Sequence, residues 1–231
     1  MIECVRIPNL KRRQDRRYMA LGALSAMGVR ADIRFFDAHD GKLYGDDVAR
    51  FISDVKADGF NFLDGYDEDE PMNIPARCCT WSFSCVFREI AADNRVTLFL
   101  IDHFMLTMRW PRLQGIVELL INSHDMKCLA LGTREICDKE NNGQREPRLL
   151  RADSIISRGI LGEGEYGLVL TPDGAQTLLD AMASIPYPGS YERLMALLPD
   201  MPGFFSLVED AVSYHYGVYR RAEDIDWRKS C

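Results

Sequence analysis

Residues 2–41 carry a strand, helix, strand pattern, and this feature limits the fold more than any other. The apolar stretch 2–7 ends at Pro8-Asn9, which predicts a buried strand closed by a turn. From Gln14 onward, apolar residues recur at helical spacing, at Tyr18, Leu21, Leu24 and Met27. Gly28 is the predicted C-cap of this helix, and residues 33–36 predict a second strand. Such a βαβ unit implies parallel strands joined by a right-handed crossover, so we predict an α/β fold.

The remaining chain continues this mixture without an internal repeat, and we predict a single domain over residues 1–231. Further helices are predicted at 48–55, 80–92, 113–121 and 172–183. Further strands are predicted at 96–101, 127–131 and 166–171. The acidic stretch 64–75 and the polar stretch 138–147 are predicted to be loops.

Composition excludes several classes of protein. With 47% hydrophobic and 27% charged residues, the chain has enough apolar material for a sizeable core. No apolar run approaches the ~18–20 residues of a membrane span, and residues 1–13 do not have the pattern of a signal peptide. We therefore expect a soluble protein that acts in the cytoplasm. The net charge of −7 disfavours a general nucleic-acid binder, although the local cluster Arg145, Arg148 and Arg151 keeps DNA possible.

The cysteines indicate free thiols. The chain has an odd number without regular spacing, at Cys4, Cys78, Cys79, Cys85, Cys128, Cys137 and Cys231. No CxxC pair is present, so the spacing of a zinc ribbon is missing. We expect mostly buried, reduced thiols rather than a disulfide framework.

Two loops follow the predicted parallel strands and are the first candidates for ligand binding. In open sheets of this type, ligands bind at the carboxyl ends of the strands, which here lead into residues 9–17 and 37–41. The first loop carries four arginines that could face phosphates or form a solvated surface: Arg12, Arg13, Arg16 and Arg17. In the second, Asp37 and Asp40 could bind a ribose or base, or could hold a tight turn.

The same residues resemble a known family. Residues 7–17 (IPNLKRRQDRR), 27–29 (MGV) and 36–41 (FDAHDG) are similar to the opening of glycosyltransferase family 25. That family includes lipopolysaccharide sugar transferases and relatives of the collagen galactosyltransferases. Weaker correspondences follow in order at 78–83, 98–103 and 166–175, so the resemblance covers roughly residues 1–182.

The resemblance implies a GT-A fold, a Rossmann-like mixed sheet flanked by helices. Residues 1–125 would form the nucleotide-sugar-binding half and residues 126–231 the acceptor side. It further implies an inverting, hexosyltransferase-like enzyme of polysaccharide biosynthesis, with a saccharide as acceptor or, in a phage, a hydroxymethylated DNA base. The donor-binding residues would be Asn9, Arg12, Arg13, Arg16, Arg17, Asp37 and Asp40.

The implied metal site is altered in this chain. Where the family has an acidic triplet that supplies oxygen ligands to Mn²⁺ or Mg²⁺, this sequence has Ile101-Asp102-His103. Asp102 and His103 could still hold a divalent metal with a third ligand from Asp210 or His215. Two alternatives stay open: metal-independent catalysis by arginines, and a catalytically degenerate module that binds nucleotide sugars.

An inverting transfer needs a carboxylate base near the acceptor hydroxyl. Glu209 and Asp210 are the candidates, since the family has a functional Asp late in the chain. Glu163 and Glu165 are a further option, and all of these could also be surface residues. Phe83 stands where the family has His and is predicted to be core.

Two further predictions concern Cys79 and the first strand. Cys79 is predicted to be a small buried hydrophobe. An NAD-type oxidoreductase is excluded because no GxGxxG follows the first strand.

Overall fold

A computed structural model describes residues 1–61, 72–131, 148–149, 156–158, 167–184, 201–207 and 212–214. The predicted loop 138–147 lies outside these ranges, as does most of the acidic loop 64–75. None of the helices in the described residues combines the length and the apolar character that a membrane crossing requires.

The described residues form five α-helices and ten strands. The helices are α1 (Gln14–Ala26), α2 (Val48–Ala57), α3 (Ile74–Ala92), α4 (Trp110–His124) and α5 (Pro172–Ser184). The first five strands are β1 (Cys4–Asn9), β2 (Asp32–Asp37), β3 (Thr97–Leu100), β4 (Phe104–Leu106) and β5 (Cys128–Ala130). The others are β6 (Arg148–Leu149), β7 (Ile156–Arg158), β8 (Gly167–Leu170), β9 (Phe204–Leu207) and β10 (Val212–Tyr214). A one-turn 3₁₀ helix spans Gly41–Leu43.

Eight of these strands form one mixed sheet in the order β2-β1-β3-β8-β5-β9-β7-β6, which confirms the α/β class. The strands β2, β1 and β3 are parallel neighbours, with Cys4 in register with both Asp32 and Thr97. β8 runs antiparallel between β3 and β5, and β9 is parallel to β5. β10 and β4 form a separate two-stranded sheet. The large sheet therefore joins strands from both halves of the chain.

The opening βαβ unit is confirmed, but the buried face of its helix differs from the predicted stripe. Ala20 and Leu24, one turn apart, are the buried residues of α1. Tyr18 is 71% exposed and Leu21 is also exposed. The helix buries the face that carries Ala20 and Leu24, and the apolar residues outside that face are exposed to solvent. Gly28 ends the helix with φ of +69°, the left-handed conformation that glycine adopts without strain.

The helix α3 begins at Ile74, six residues before its predicted start at Thr80. The side chain of Asn73 caps it by accepting a hydrogen bond from the Ala76 amide, and Pro75 fits the first turn, where no amide donor is needed. Phe83 is buried in this helix with its ring edge-on to Phe99 at 5.1 Å, which confirms it as core. Cys79 is exposed, so its predicted burial was wrong: it points outward while its neighbour Cys78 is buried.

Two groups of buried side chains hold the described residues together. The main core contains the central strands with α1, α3, α4 and α5. The second core lies between α2 and α3 and consists of Phe51, Val55, Ile74, Cys78, Trp81 and Cys85. No disulfide joins the five described cysteines, and four of the five are buried.

Candidate functional site

Three parallel strands end at one edge of the sheet, and polar residues follow each of them. β1 ends at Asn9, β2 at Asp37, and β3 leads into Asp102 and His103. Because the strands are parallel neighbours, their carboxyl ends lie side by side. Loops that begin at this edge place their side chains on a common surface.

A cleft of about 510 Å³ lies beside the ends of β1 and β2. Both loops that the sequence singled out contribute to its walls. The lining residues are Lys11, Arg12, Asp37, Ala38, His39, Asp40, Leu43 and Tyr44. The cleft combines two cationic side chains, two carboxylates and two aromatic rings. This is the set of groups that a phosphorylated nucleoside can contact.

Arg12 and Asp40 join the two loops directly. The Arg12 Nε donates to Asp40 Oδ2 at 2.6 Å, and the two side chains are 38% and 17% exposed. The other carboxylate oxygen of Asp40 accepts the Lys42 amide and caps the 3₁₀ helix. Asp40 thus serves both as the turn residue that the sequence allowed and as a charged wall of the cleft.

The other three arginines of the first loop do not line this cleft. Arg13 is buried and its guanidinium binds Asp15 at 2.8 Å. Arg16 binds Asp102 at 3.1 Å, and the Arg17 guanidinium lies over the Phe35 ring at 4.4 Å. Each of these arginines therefore has a contact within the protein, and their binding of a donor remains a prediction.

Asp102 sits in a network of protein donors at the end of β3. Its Oδ2 accepts a hydrogen bond from Asn9 Nδ2 at 2.8 Å, and its Oδ1 contacts Arg16 at 3.1 Å and His103 Nδ1 at 2.9 Å. Burial alone would raise the pKa of Asp102, but the hydrogen bond from His103 and the charge of Arg16 outweigh burial and lower it. Burial lowers the pKa of His103, although the hydrogen bond and the charge of Asp102 act in the opposite direction.

The surroundings of Asp102 do not fit a divalent cation well. Its side chain is 9% exposed, and both oxygens already accept hydrogen bonds from protein donors. The Arg16 guanidinium on Oδ1 would repel a second cation there. Asn9 donates to Asp102 and to the Arg13 carbonyl, and its predicted binding of the donor remains a prediction. Metal binding by Asp102 and His103 remains a prediction that these contacts do not favour.

Several predicted site residues lie outside the described residues. These are the candidate bases Glu209, Asp210, Glu163 and Glu165, the candidate ligand His215, and the arginines Arg145 and Arg151. Arg148 begins β6, but its side chain is not among those described. The assignment of these residues to the acceptor side of the site therefore remains a prediction from the sequence.

A second cluster of potential ligands, which the sequence analysis missed, lies next to the cleft. Within the described residues, His39, Asp58 and Cys85 are one group whose ligand atoms all lie within 4.8 Å of one another. They come from the turn after β2, the end of α2 and the middle of α3. No spacing in the sequence links the three residues, and the signal that the sequence does carry is the position of His39 in a predicted ligand-binding loop.

Comparison with known proteins adds no family to this picture: neither family models nor curated proteins give a match.

Proposed function

We propose that this chain is a glycosyltransferase that binds a nucleotide-sugar donor in the cleft at the ends of β1 and β2. The observation that carries the proposal is the lining of that cleft. Lys11 and Arg12 from one loop face Asp37 and Asp40 from the other, at the carboxyl edge of three parallel strands. The resemblance to family 25 in these two loops names the class of ligand.

The chemistry of the cleft suits a nucleoside diphosphate. Lys11 and Arg12 supply positive charge for phosphate oxygens, and a guanidinium can bind two such oxygens at once. Asp37 and Asp40 can accept hydrogen bonds from ribose hydroxyls. The Tyr44 ring offers an apolar surface for a base or a sugar face.

The fold is consistent with a GT-A architecture, which we propose for the chain as a whole. Parallel strands connected by helices create the crevice at which nucleotides bind in open α/β sheets. In this sheet, the chain passes from β1 to β2 on one side and from β3 to β5 on the other side. The direction of the connections therefore changes between β1 and β3, and the hydrogen bond between Asn9 and Asp102 joins the ends of these two strands.

The transfer needs two kinds of catalytic help. Negative charge grows on the nucleotide diphosphate as the glycosidic bond breaks, and Arg12 and Lys11 are placed to stabilise it. A carboxylate must also accept the proton of the attacking hydroxyl, for which Asp210 or Glu209 are the proposed bases. This assignment uses no metal ion at Asp102, which agrees with the contacts that Arg16 and Asn9 make there.

Nucleotide binding tests the proposal first. Calorimetry with UDP, GDP and pyrophosphate should show binding of a nucleoside diphosphate, and Arg12→Ala should weaken it about tenfold to a hundredfold, the loss of a charged hydrogen bond. Arg34→Ala is the matched control, because Arg34 lies on β2 but binds Asp32 and does not line the cleft. If no nucleotide binds, or if Arg12→Ala binds as the parent does, the cleft is not the donor site.

Turnover then separates the enzyme from a binding module. We expect release of nucleoside diphosphate from UDP-sugars when acceptor saccharides are present, with and without Mn²⁺. Tight nucleotide binding without any hydrolysis or transfer would assign the chain to the catalytically degenerate class instead. Activity that depends strictly on Mn²⁺ and is lost in Asp102→Asn would instead support a catalytic metal ion bound by Asp102 at the end of β3.

A further inference from the structure

We propose that His39, Asp58 and Cys85 bind a zinc ion that fastens the turn after β2 to the helices α2 and α3. The site is separate from Asp102 and His103, and it does not depend on the ligand of the cleft. Its three ligand atoms would be a ring nitrogen, a carboxylate oxygen and a thiolate. Zinc accepts this mixed set in tetrahedral sites.

The distances are close to those that zinc requires. Bond lengths of about 2.0–2.3 Å in a tetrahedron place the ligand atoms roughly 3.3–3.6 Å apart. The Cys85 Sγ lies 3.7 Å from His39 Nε2 and 4.0 Å from Asp58 Oδ2. The ligand atoms of His39 and Asp58 lie within 4.8 Å of each other, so side-chain rotations that close each pair by at most about 1.5 Å would bring all three to bonding positions.

The same Cys85 sulfur contacts both other groups, which distinguishes a metal site from a catalytic relay. In a relay of cysteine, histidine and aspartate, the carboxylate binds the far ring nitrogen and stays away from the sulfur. Here Asp58 lies beside the sulfur itself. All three ligand atoms therefore lie within 4.8 Å of one another.

Neighbouring side chains hold two of the ligands in place. The His39 ring stacks on Trp81 with centroids 3.5 Å apart and planes 6° from parallel. Trp81 Nε1 donates to Asp58 Oδ2 at 2.9 Å, so one indole orients both the imidazole and the carboxylate. The His39 amide donates to Ser82 Oγ, and Arg88 donates to the Asp58 carbonyl. Partners of this kind orient ligands and raise metal affinity in known sites.

The burial of the three residues indicates a site with one open position. Cys85 is buried in the second core, His39 is half-buried, and Asp58 is exposed. Water can therefore reach the ion from the side of Asp58 and complete the tetrahedron as a fourth ligand. On binding, the Cys85 thiol loses its proton to solvent, and the thiolate and the carboxylate balance the charge of the ion.

Zinc uptake by the metal-free chain tests the proposal. Calorimetry with ZnCl₂ should show a single ion per chain. Titration with Co²⁺ as a spectroscopic substitute should produce the thiolate charge-transfer absorption in the near ultraviolet. Cys85→Ser should abolish that absorption, and His39→Asn and Asp58→Asn should each weaken zinc binding at least about tenfold.

Matched variants separate this site from others. Cys79→Ser removes an exposed thiol from the same helix and should leave zinc uptake unchanged. His103→Asn should also leave it unchanged, because that residue belongs to the network of Asp102. Trp81→Phe keeps an aromatic ring but removes the donor to Asp58, and should weaken binding by about tenfold to a hundredfold.

Three results would overturn the proposal: no zinc uptake by the parent chain, uptake that Asp58→Asn leaves intact, or uptake that His103→Asn removes. Because Asp58 is exposed, we expect Asp58→Asn to fold, and this variant tests the site even if Cys85→Ser fails to fold. Metal uptake is measured without nucleotide, so its failure is distinguishable from a failure of the glycosyltransferase proposal.

Discussion

The side-chain amide of Asn9 donates a hydrogen bond of 2.8 Å to Asp102, 93 residues away in the sequence. This hydrogen bond joins the ends of β1 and β3. The Arg16 guanidinium, in the first turn of α1, donates to the other carboxylate oxygen of Asp102. A single buried carboxylate thus connects three elements at the edge where the cleft opens.

Replacement of Asp102 by Ala should destabilise the protein by about 3–5 kcal/mol, because it removes the carboxylate that both Arg16 and Asn9 bind in a mostly buried place. The free energy of unfolding in urea measures this loss. Asp173→Ala is the control: Asp173 is 83% exposed and pairs with Lys127 at 3.6 Å, so its removal should cost less than about 1 kcal/mol. Equal losses in the two variants would show that the network of Asp102 adds no more stability than an exposed ion pair.

Asp40→Asn should bind pyrophosphate about two- to fivefold more tightly than the parent, the gain expected when an exposed ion pair no longer competes for Arg12. Asparagine keeps an oxygen that can accept the Lys42 amide, so the 3₁₀ helix should persist. Calorimetry with pyrophosphate is the measurement. Weaker binding by this variant would mean that Asp40 supports the anion rather than competing with it.

Two glycine substitutions should have opposite effects on stability. A Cβ at Gly41 would lie 2.6 Å from the Cα of Pro75, so Gly41→Ala should cost about 1–3 kcal/mol through overpacking between the cleft and α3. A Cβ at Gly22 in α1 meets nothing within 4 Å, and Gly22→Ala should stabilise by about 0.5–1 kcal/mol. Thermal unfolding of both variants tests the pair, and a stable Gly41→Ala protein would show that the turn can move away from α3.

Asp15 should make a pH-dependent contribution to stability. The hydrogen bond from Arg13 lowers the pKa of Asp15 to about 2, below the ordinary value of about 3.9. The contribution is therefore fully present above about pH 4 and is lost as the pH falls through about 2. Asp15→Asn should lower stability at pH 7 and flatten its dependence on pH between these values. Parallel curves for parent and variant, measured by urea unfolding, would contradict this.

Local patterns explain what the sequence could predict. The strand ending at Asn9, the helix beginning at Gln14 and the glycine after it are set by periodicity and caps within a few residues of one another. The ends of these elements predicted the two loops, residues 9–17 and 37–41, as candidates for ligand binding, and residues of both loops line the cleft.

Long-range placement explains what the sequence could not predict. The partners of Asp102 depend on the register of β1 against β3, and no local pattern encodes that register. The cluster of His39, Asp58 and Cys85 depends on how α2 and α3 pack, so their chemistry is visible only in three dimensions. The exposure of Cys79 has the same origin, since it is set by which face of α3 meets the second core.

The position of β8 has a consequence for synthesis of the chain. β3 is buried along its whole length, yet the strand that covers one of its edges is made of residues 167–170. While the ribosome is still translating the residues between them, Leu98, Phe99 and Leu100 belong to a strand with an unpaired edge. Nascent chains that stop short of β8 should therefore be captured by chaperones or aggregate, and the sheet closes at its centre only late in translation.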